Sequence, residues 1–363
     1  RKRTISNFIN IQNSCFALVV LSSHFVMAAV DHIRSIPIFF SLNERTLVIG
    51  TNPNDFPMAK KIGNPDRALV KEFLLTGYVH GSKTLRTDIE SIDPGQALTW
   101  NIGADQPEIQ TYFTYWPSTD SGLWDLSNLI AGFDSVLNAV FEDFAKSVCG
   151  RTVWIPLSGG LDSRLVLTKA LEHGIKDIVT FSYGTPGNHE IETARRVARN
   201  LGVEWICCPS VSASYSRRLF NHQDRHDYAY FSGSLQATPV YLDYEAVHDL
   251  RKRGLLSNDS CIVNGYSGDF LFGGHVPEQL LLAPDYEELV NAIIRKHCSH
   301  FKPSIFPNTI SEIRESLLVQ FSDLKDCTDP GPICAAYENW EWRERQPKAV
   351  VNGQRLYEFF NVH

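Results

Sequence analysis

Between Val153 and Cys208 the sequence alternates between short apolar runs and amphipathic helical stretches, and this alternation restricts the possible folds more than any other feature. Val153–Pro156 reads as a strand, Ser163–His173 as a helix closed by Gly174, and Ile178–Ser182 as a second strand. Glu190–Leu201 follows as a helix closed by Gly202, then Glu204–Cys208 as a third strand. A βαβαβ unit needs right-handed crossovers, so the pattern predicts an α/β fold built on a parallel sheet with helices packed against it. A helix over Gln236–Arg253 leads to another strand at Ser260–Val263. Helical periodicity also covers Leu126–Ser147 and most of Tyr286–Glu344.

The first 115 residues have a different texture. Phe16–Leu21, Ile36–Phe40, Thr46–Gly50 and Gln96–Trp100 are short β-branched or aromatic runs separated by turn residues. One helix is expected over Asp66–Thr76, after Pro65 and before Gly77. The apolar stretch Phe16–Val30 follows the basic start Arg1-Lys2-Arg3 and is broken by Ser22-Ser23-His24. It is shorter than the roughly 20 residues needed to span a bilayer and predicts a β-hairpin rather than a secretory leader. A length of 363 residues suggests about two domains. They are expected at 1–115 and 120–363, joined by a linker at Pro117–Ser121.

A net charge of −7 disfavours binding along a nucleic-acid backbone, which requires a basic face. Eight cysteines are present without a CxxC pair, so thiolate zinc sites find no support and free thiols in a reducing, cytoplasmic setting are expected.

The chemistry-bearing segment is Leu157-Ser158-Gly159-Gly160-Leu161-Asp162-Ser163-Arg164, between a strand and a helix. Two glycines allow a ligand close to the backbone, and the helix start offers unpaired N–H groups at a positive dipole end. Ser158 and Ser163 add hydroxyls. Asp162 would repel phosphates unless a divalent cation bridges them, so the loop calls for Mg²⁺ together with a polyphosphate such as ATP. The chain has no Walker loop.

SGGLDS resembles the pyrophosphate loop of the ATP pyrophosphatase (PP-loop, adenine nucleotide α-hydrolase-like) superfamily, and the surrounding residues resemble the asparagine synthetase family. Phe181-Ser182-Tyr183-Gly184, with His189-Glu190 following, looks like the family's second strand and adenine-facing turn. Leu235–Tyr241 looks like the segment facing the acyl substrate. Asn264-Gly265-Tyr266-Ser267-Gly268-Asp269, running on to Gly273-Gly274, resembles its second loop, and Arg345-Gln346-Pro347-Lys348 its R-x-x-K. In the N-terminal part, Asp31–Phe40 and Ile92-Asp93-Pro94-Gly95 resemble the second half of a class II glutaminase. The fold implied is a PP-loop synthetase domain preceded by a partial α+β, Ntn-type glutaminase-like β-sandwich.

The resemblance implies an ATP-dependent, AMP- and pyrophosphate-forming amide ligase for asparagine biosynthesis. Leu157, Ser158, Gly159, Gly160, Asp162, Ser163, Tyr183 and Gly265 would bind ATP and its pyrophosphate. Asp162 and Asp269 would hold Mg²⁺, Lys348 would face the leaving pyrophosphate, and Tyr266 would act in catalysis. The partners implied are a small-molecule carboxylate and an amine or ammonia donor, with no nucleic acid and no membrane; a homodimer is allowed.

Two departures stand out. Tyr266 replaces the glutamate of asparagine synthetases and is closer to the β-lactam synthetase branch, where a glutamate partners the tyrosine; no such partner is identifiable. An N-terminal nucleophilic cysteine is also missing, since the chain begins at Arg1 and Cys15 starts no matching motif. Both ends therefore read as truncations. The alternatives are a β-lactam synthetase-like or peptide- or polysaccharide-tailoring enzyme that uses a substrate amine, and a non-catalytic relic. His275, directly after Gly274, is left unassigned.

Overall fold

The structure, a computed structural model, describes residues 15–60, 65–117, 125–185, 187–209 and 222–363. The basic start and most of the linker lie outside them. The chain divides into two compact units. One takes the described residues of Arg1–Asp120 with Ala229–Pro239 and His275–Gly353; the other takes those of Ser121–Tyr228 with Val240–Gly274 and Gln354–His363.

The first unit opens with the expected hairpin, β1 (Ala17–Leu21) against β2 (Phe25–Val30), paired Leu21 to Val26 at its tip. Ser22 closes the turn by accepting hydrogen bonds from His24 and Phe25 N–H. The unit adds β3 (Phe39–Asn43), β4 (Thr46–Gly50), helix α1 (Arg67–Thr76), β5 (Glu90–Ser91), β6 (Gln96–Asn101) and β7 (Glu108–Thr111). Two antiparallel sheets result, ordered β1-β2-β6-β7 and β4-β3-β5. They share one core, in which Ala28, Val30 and Leu98 of the first sheet meet Phe40 of the second. α1 is bounded as its sequence dictates: Asp66 Oδ1 accepts from Ala68 N–H at 2.8 Å, and Gly77 stops the helix at φ 82°.

Later helices complete this unit: α7 (Tyr286–His297), α8 (Pro307–Gln320), α9 (Pro330–Trp340) and a π-type segment, Glu341–Val350. Pro347 lies inside the wide turns, where its missing N–H is tolerated better than in a regular α-helical ladder.

In the second unit α2 (Leu126–Ser147) precedes β8 (Val153–Pro156), α3 (Leu161–Glu172), β9 (Ile178–Gly184), α4 (His189–Leu201) and β10 (Glu204–Pro209). Then come α5 (Gln223–Gly233), α6 (Tyr244–Lys252), β11 (Cys261–Ile262) and α10 (Arg355–Phe359). The four strands are parallel, ordered β10-β9-β8-β11. Alternation along β8 sorts the core: Val153 and Ile155 pack with Leu167, Ala194 and Ala198 on one face, and Trp154 packs with Tyr228, Tyr244 and Val247 on the other. The chain runs outward through β9 and β10 and returns to the other side of β8 as β11. A crevice forms at such a reversal beyond the carboxyl ends of the strands.

Two expectations shift. The helix predicted from Gln236 starts at Tyr244, because Pro239 has no N–H to continue a ladder and disfavours helical backbone before it. The strand predicted over Ile36–Phe40 begins at Phe39, just past Pro37. None of the eight cysteines is paired. Among the described residues no helix is long and apolar enough to cross a membrane.

Candidate active site

The loop after β8 and the loop after β11 meet at the reversal between those strands. Ser182 Oγ donates to Leu157 O at 2.6 Å and accepts from Trp205 Nε1 at 2.9 Å, fixing the base of the first loop to β9 and β10. Within that loop Ser163 Oγ accepts from Ser158 N–H at 3.1 Å, and Ser158 Oγ accepts from Gly160 N–H at 3.0 Å. The two serines therefore organise the loop as well as offering hydroxyls. Arg164 folds back over it, with Nη2 donating to Gly159 O at 2.8 Å and Nε to Gly160 O at 3.0 Å. Both carbonyls are thereby drawn toward the guanidinium, and Gly160 passes into α3 without a side-chain cap. The helix start is left open to an anion.

The second loop presses on Asp162. A Cβ on Gly265 would stand 2.9 Å from Asp162 C, Asp162 Cβ and Ser163 N, and one on Gly268 would stand 2.3 Å from Asp162 Cγ. Only glycine lets the loops approach this closely. Ser267, between them, is left-handed at φ 74°. Asn264 anchors the loop: its Oδ1 accepts from Tyr266 N–H at 3.1 Å, while its Nδ2 donates to Tyr357 OH at 3.0 Å.

The loops enclose a cavity of about 280 Å³ lined by Leu157, Ser158, Gly160, Asp162, Ser163, Tyr183, Gly265 and Tyr266, together with Glu190, Asp243 and Asn264. Gly159 lies at its edge, where an added Cβ would be 3.3 Å from Glu190 Cγ. A second cavity, about 540 Å³, contains Asp162, Gly268 and Asp269, so the two aspartates expected to share a cation line one space.

Lys348 lies in the first unit and is 1% exposed. Its Nζ donates to Glu344 Oε2 at 2.7 Å and to Gly81 O at 3.0 Å. Burial works to raise the Glu344 carboxyl, but Lys348 and then Arg343 outweigh it and hold it well below the usual range.

Sequence reasoning missed Asp243. An aspartate before a helix reads as an N-cap, yet this one makes no capping bond. Its side chain is 1% exposed and accepts a short hydrogen bond from the Tyr357 hydroxyl. Tyr266 stands beside it, and its buried hydroxyl lacks a hydrogen bond of normal geometry. Burial, then the charge of Asp243, pushes the Tyr266 phenol far above its ordinary value. Such a phenol stays protonated at neutral pH and is suited to donating a hydrogen bond, not to removing a proton. The hydroxyl faces the Asp243 carboxylate without a hydrogen bond of good geometry, so Tyr266→Phe removes only a weak contact and is expected to change stability by no more than about 1 kcal/mol. Urea unfolding of the two proteins checks this.

Residues 146–317 match the profile of the asparagine synthase family. This part of the chain belongs to that family. The match supports an ATP-using, amidotransferase-like ligase as the broad class. No curated protein matches the chain. Among solved structures the chain is similar to an NH3-dependent NAD synthetase from Campylobacter jejuni subsp. jejuni NCTC 11168 in complex with the nitrate ion. Identity is 13%, coverage is 52% of this chain and 93% of that one, and the TM-score is 0.23. At that TM-score the likeness carries no argument. Every loop residue of the asparagine synthase domain singled out above falls within the matched span, whereas Lys348 lies beyond it.

Proposed function

We propose that the protein is an ATP-dependent amide ligase with a PP-loop synthetase domain. In this reading an oxygen of a small-molecule carboxylate attacks the α-phosphorus of ATP and pyrophosphate leaves. An amine or ammonia then attacks the acyl carbon of the adenylate, AMP leaves, and an amide forms. Asparagine synthesis is the simplest case.

The observation that carries this reading is the glycine-only approach of the second loop to Asp162 beneath the open start of α3. A cradle that backbone-tight suits a phosphate chain. The described lining of the smaller cavity includes three carboxylates, Asp162, Glu190 and Asp243, and neither lysine nor arginine. A polyphosphate is therefore accepted there only with a counter-cation, and this donor set fits Mg²⁺. Asp162 and Asp269 would hold it; when bound, it supplies the charge that neutralises the leaving pyrophosphate.

The chain's own groups do the rest by positioning. The N–H groups at the start of α3 bind phosphate oxygens, and Ser158 and Ser163 orient them. Tyr183, on the cavity wall, packs on the adenine. Tyr266 donates a hydrogen bond toward the acyl substrate, and Asp243 holds it neutral. For Lys348 the role rests on the resemblance of Arg345–Lys348 alone, which implies a positive charge toward the leaving pyrophosphate. The two antiparallel sheets with one common core are consistent with a glutaminase-like β-sandwich.

The test is exchange of labelled pyrophosphate into ATP with a panel of carboxylates that includes aspartate. Exchange is expected with at least one acid and should fall about 100-fold in Asp162→Asn, the usual scale for removing one electrostatic group. Absence of exchange with every acid, together with no calorimetric heat for ATP–Mg²⁺, would leave a non-catalytic relic. Product masses with ammonium, with glutamine and with neither then identify the nitrogen donor.

A further inference from the structure

Away from both cavities, three side chains of the second unit converge: His222 just before α5, Asp224 in its first turn, and His248 on α6. One ligand atom from each lies within 4.8 Å of the others. Asp224 Oδ2 is 3.3 Å from His222 Nδ1 and 3.6 Å from His248 Nε2. Donor atoms held at about 2.0–2.1 Å by a tetrahedral zinc ion stand roughly 3.3 Å apart. Two of the three spacings are thus near coordination values, and the third closes by rotation of the exposed His222. The imidazole rings meet edge to face, at 69° and 5.8 Å between centroids.

The backbone N–H of Asp224 donates to His222 Nδ1 at 3.3 Å. The same nitrogen faces Asp224 Oδ2, so a metal bound there takes the place of the N–H contact at His222 Nδ1. His248 is 13% exposed and set against Tyr244 and Phe360.

We propose that His222, Asp224 and His248 form a binding site for a borderline divalent ion of the zinc class, stapling α5 to α6. Two imidazoles and one carboxylate suit zinc and its neighbours better than Mg²⁺ or Ca²⁺. The staple joins the helix whose Tyr228 hydroxyl bonds Val240 O to the helix that begins next to Asp243. It therefore steadies the cavity wall that carries this buried carboxylate. His248 Nδ1 is buried without a hydrogen-bond partner, so affinity is about 10–100-fold below that of a site whose outer hydrogen bonds are complete.

The experiment is calorimetric titration of the full chain with Zn²⁺, with Co²⁺ as a spectroscopic substitute. One equivalent is expected to bind and to raise the melting temperature. Asp224→Asn and His248→Gln are each expected to weaken binding at least tenfold. Asp224 is half-exposed, so its variant keeps the test decisive if the His248 change prevents folding. The Co²⁺ form should show visible d–d bands without thiolate charge transfer. Lack of binding, unchanged affinity in the variants, or a thiolate band from the free cysteines would each overturn the proposal.

Discussion

Gly265→Ala is expected to remove pyrophosphate–ATP exchange and to lower stability by about 1–3 kcal/mol, while Gly268→Ala removes exchange with much less effect on stability. The difference lies in what each new methyl group meets. At Gly265 it would stand 2.9 Å from Asp162 C, Asp162 Cβ and Ser163 N. Two of these atoms are backbone at the start of α3, so the helix terminus itself must move. Overpacking of this kind costs about 1–3 kcal/mol, more than the 0.4–1 kcal/mol that Gly→Ala returns by restricting the unfolded chain. A displacement near 1 Å at a site that works by positioning costs on the order of 100-fold in rate. At Gly268 the methyl group would meet only the Asp162 carboxylate, with Cγ at 2.3 Å and both oxygens at 2.6 Å. A side-chain rotation relieves that clash but turns the carboxylate away from its cation. Urea unfolding and exchange assays on both variants separate the two cases. Equal stability losses would show that the loops are not held together through the backbone of Asp162.

The parts of the fold that could be read in advance are those where a local rule and the global packing agree. Gly77 and Gly202 stop their helices in the left-handed region, as glycine after a helical stretch implies. The βαβαβ stretch was readable because Ile191, Ala194 and Ala198 form a buried stripe at helical spacing. What escaped was set by partners distant in sequence. α5 has almost no amphipathic pattern, since Tyr228 is its one fully buried apolar side chain. Asp243 looks like an ordinary cap until Tyr357, 114 residues later, takes its carboxylate. The close fit of Gly265 and Gly268 to Asp162 likewise joins loops about a hundred residues apart, and periodicity carries no information about such a contact. In the candidate site the glycines, serines and aspartates were readable as motifs, but the protonation state of Tyr266 was not. It depends on burial next to a carboxylate from another element.

Glu344→Gln is expected to be strongly destabilising, by about 3–5 kcal/mol near neutral pH. Lys348 and Glu344 are 1% and 2% exposed at their side chains and 2.7 Å apart. Removing one charge of such a buried pair strands the other in a medium that solvates it poorly. Glu344 also accepts from Gly81 N–H at 2.7 Å and from Arg343 Nε at 3.0 Å, so the carboxylate ties the π-type segment to the loop after α1. Its pKa is lowered on folding. The stabilisation is therefore complete above the ordinary glutamate value of 4.5 and is lost as pH falls below it. Asp93 runs the other way, because burial raises its carboxyl more than Lys348 lowers it. The comparison must accordingly be wild type against variant at each pH, not the absolute stability curve. Urea unfolding should show a constant gap between pH 6 and 8 that narrows once the pH drops below about 4.5. A gap under about 1 kcal/mol at pH 7 is the value of an exposed ion pair. It would mean either that Lys348 reaches water when Glu344 is gone, or that its existing bond to Gly81 O is enough to satisfy the ammonium.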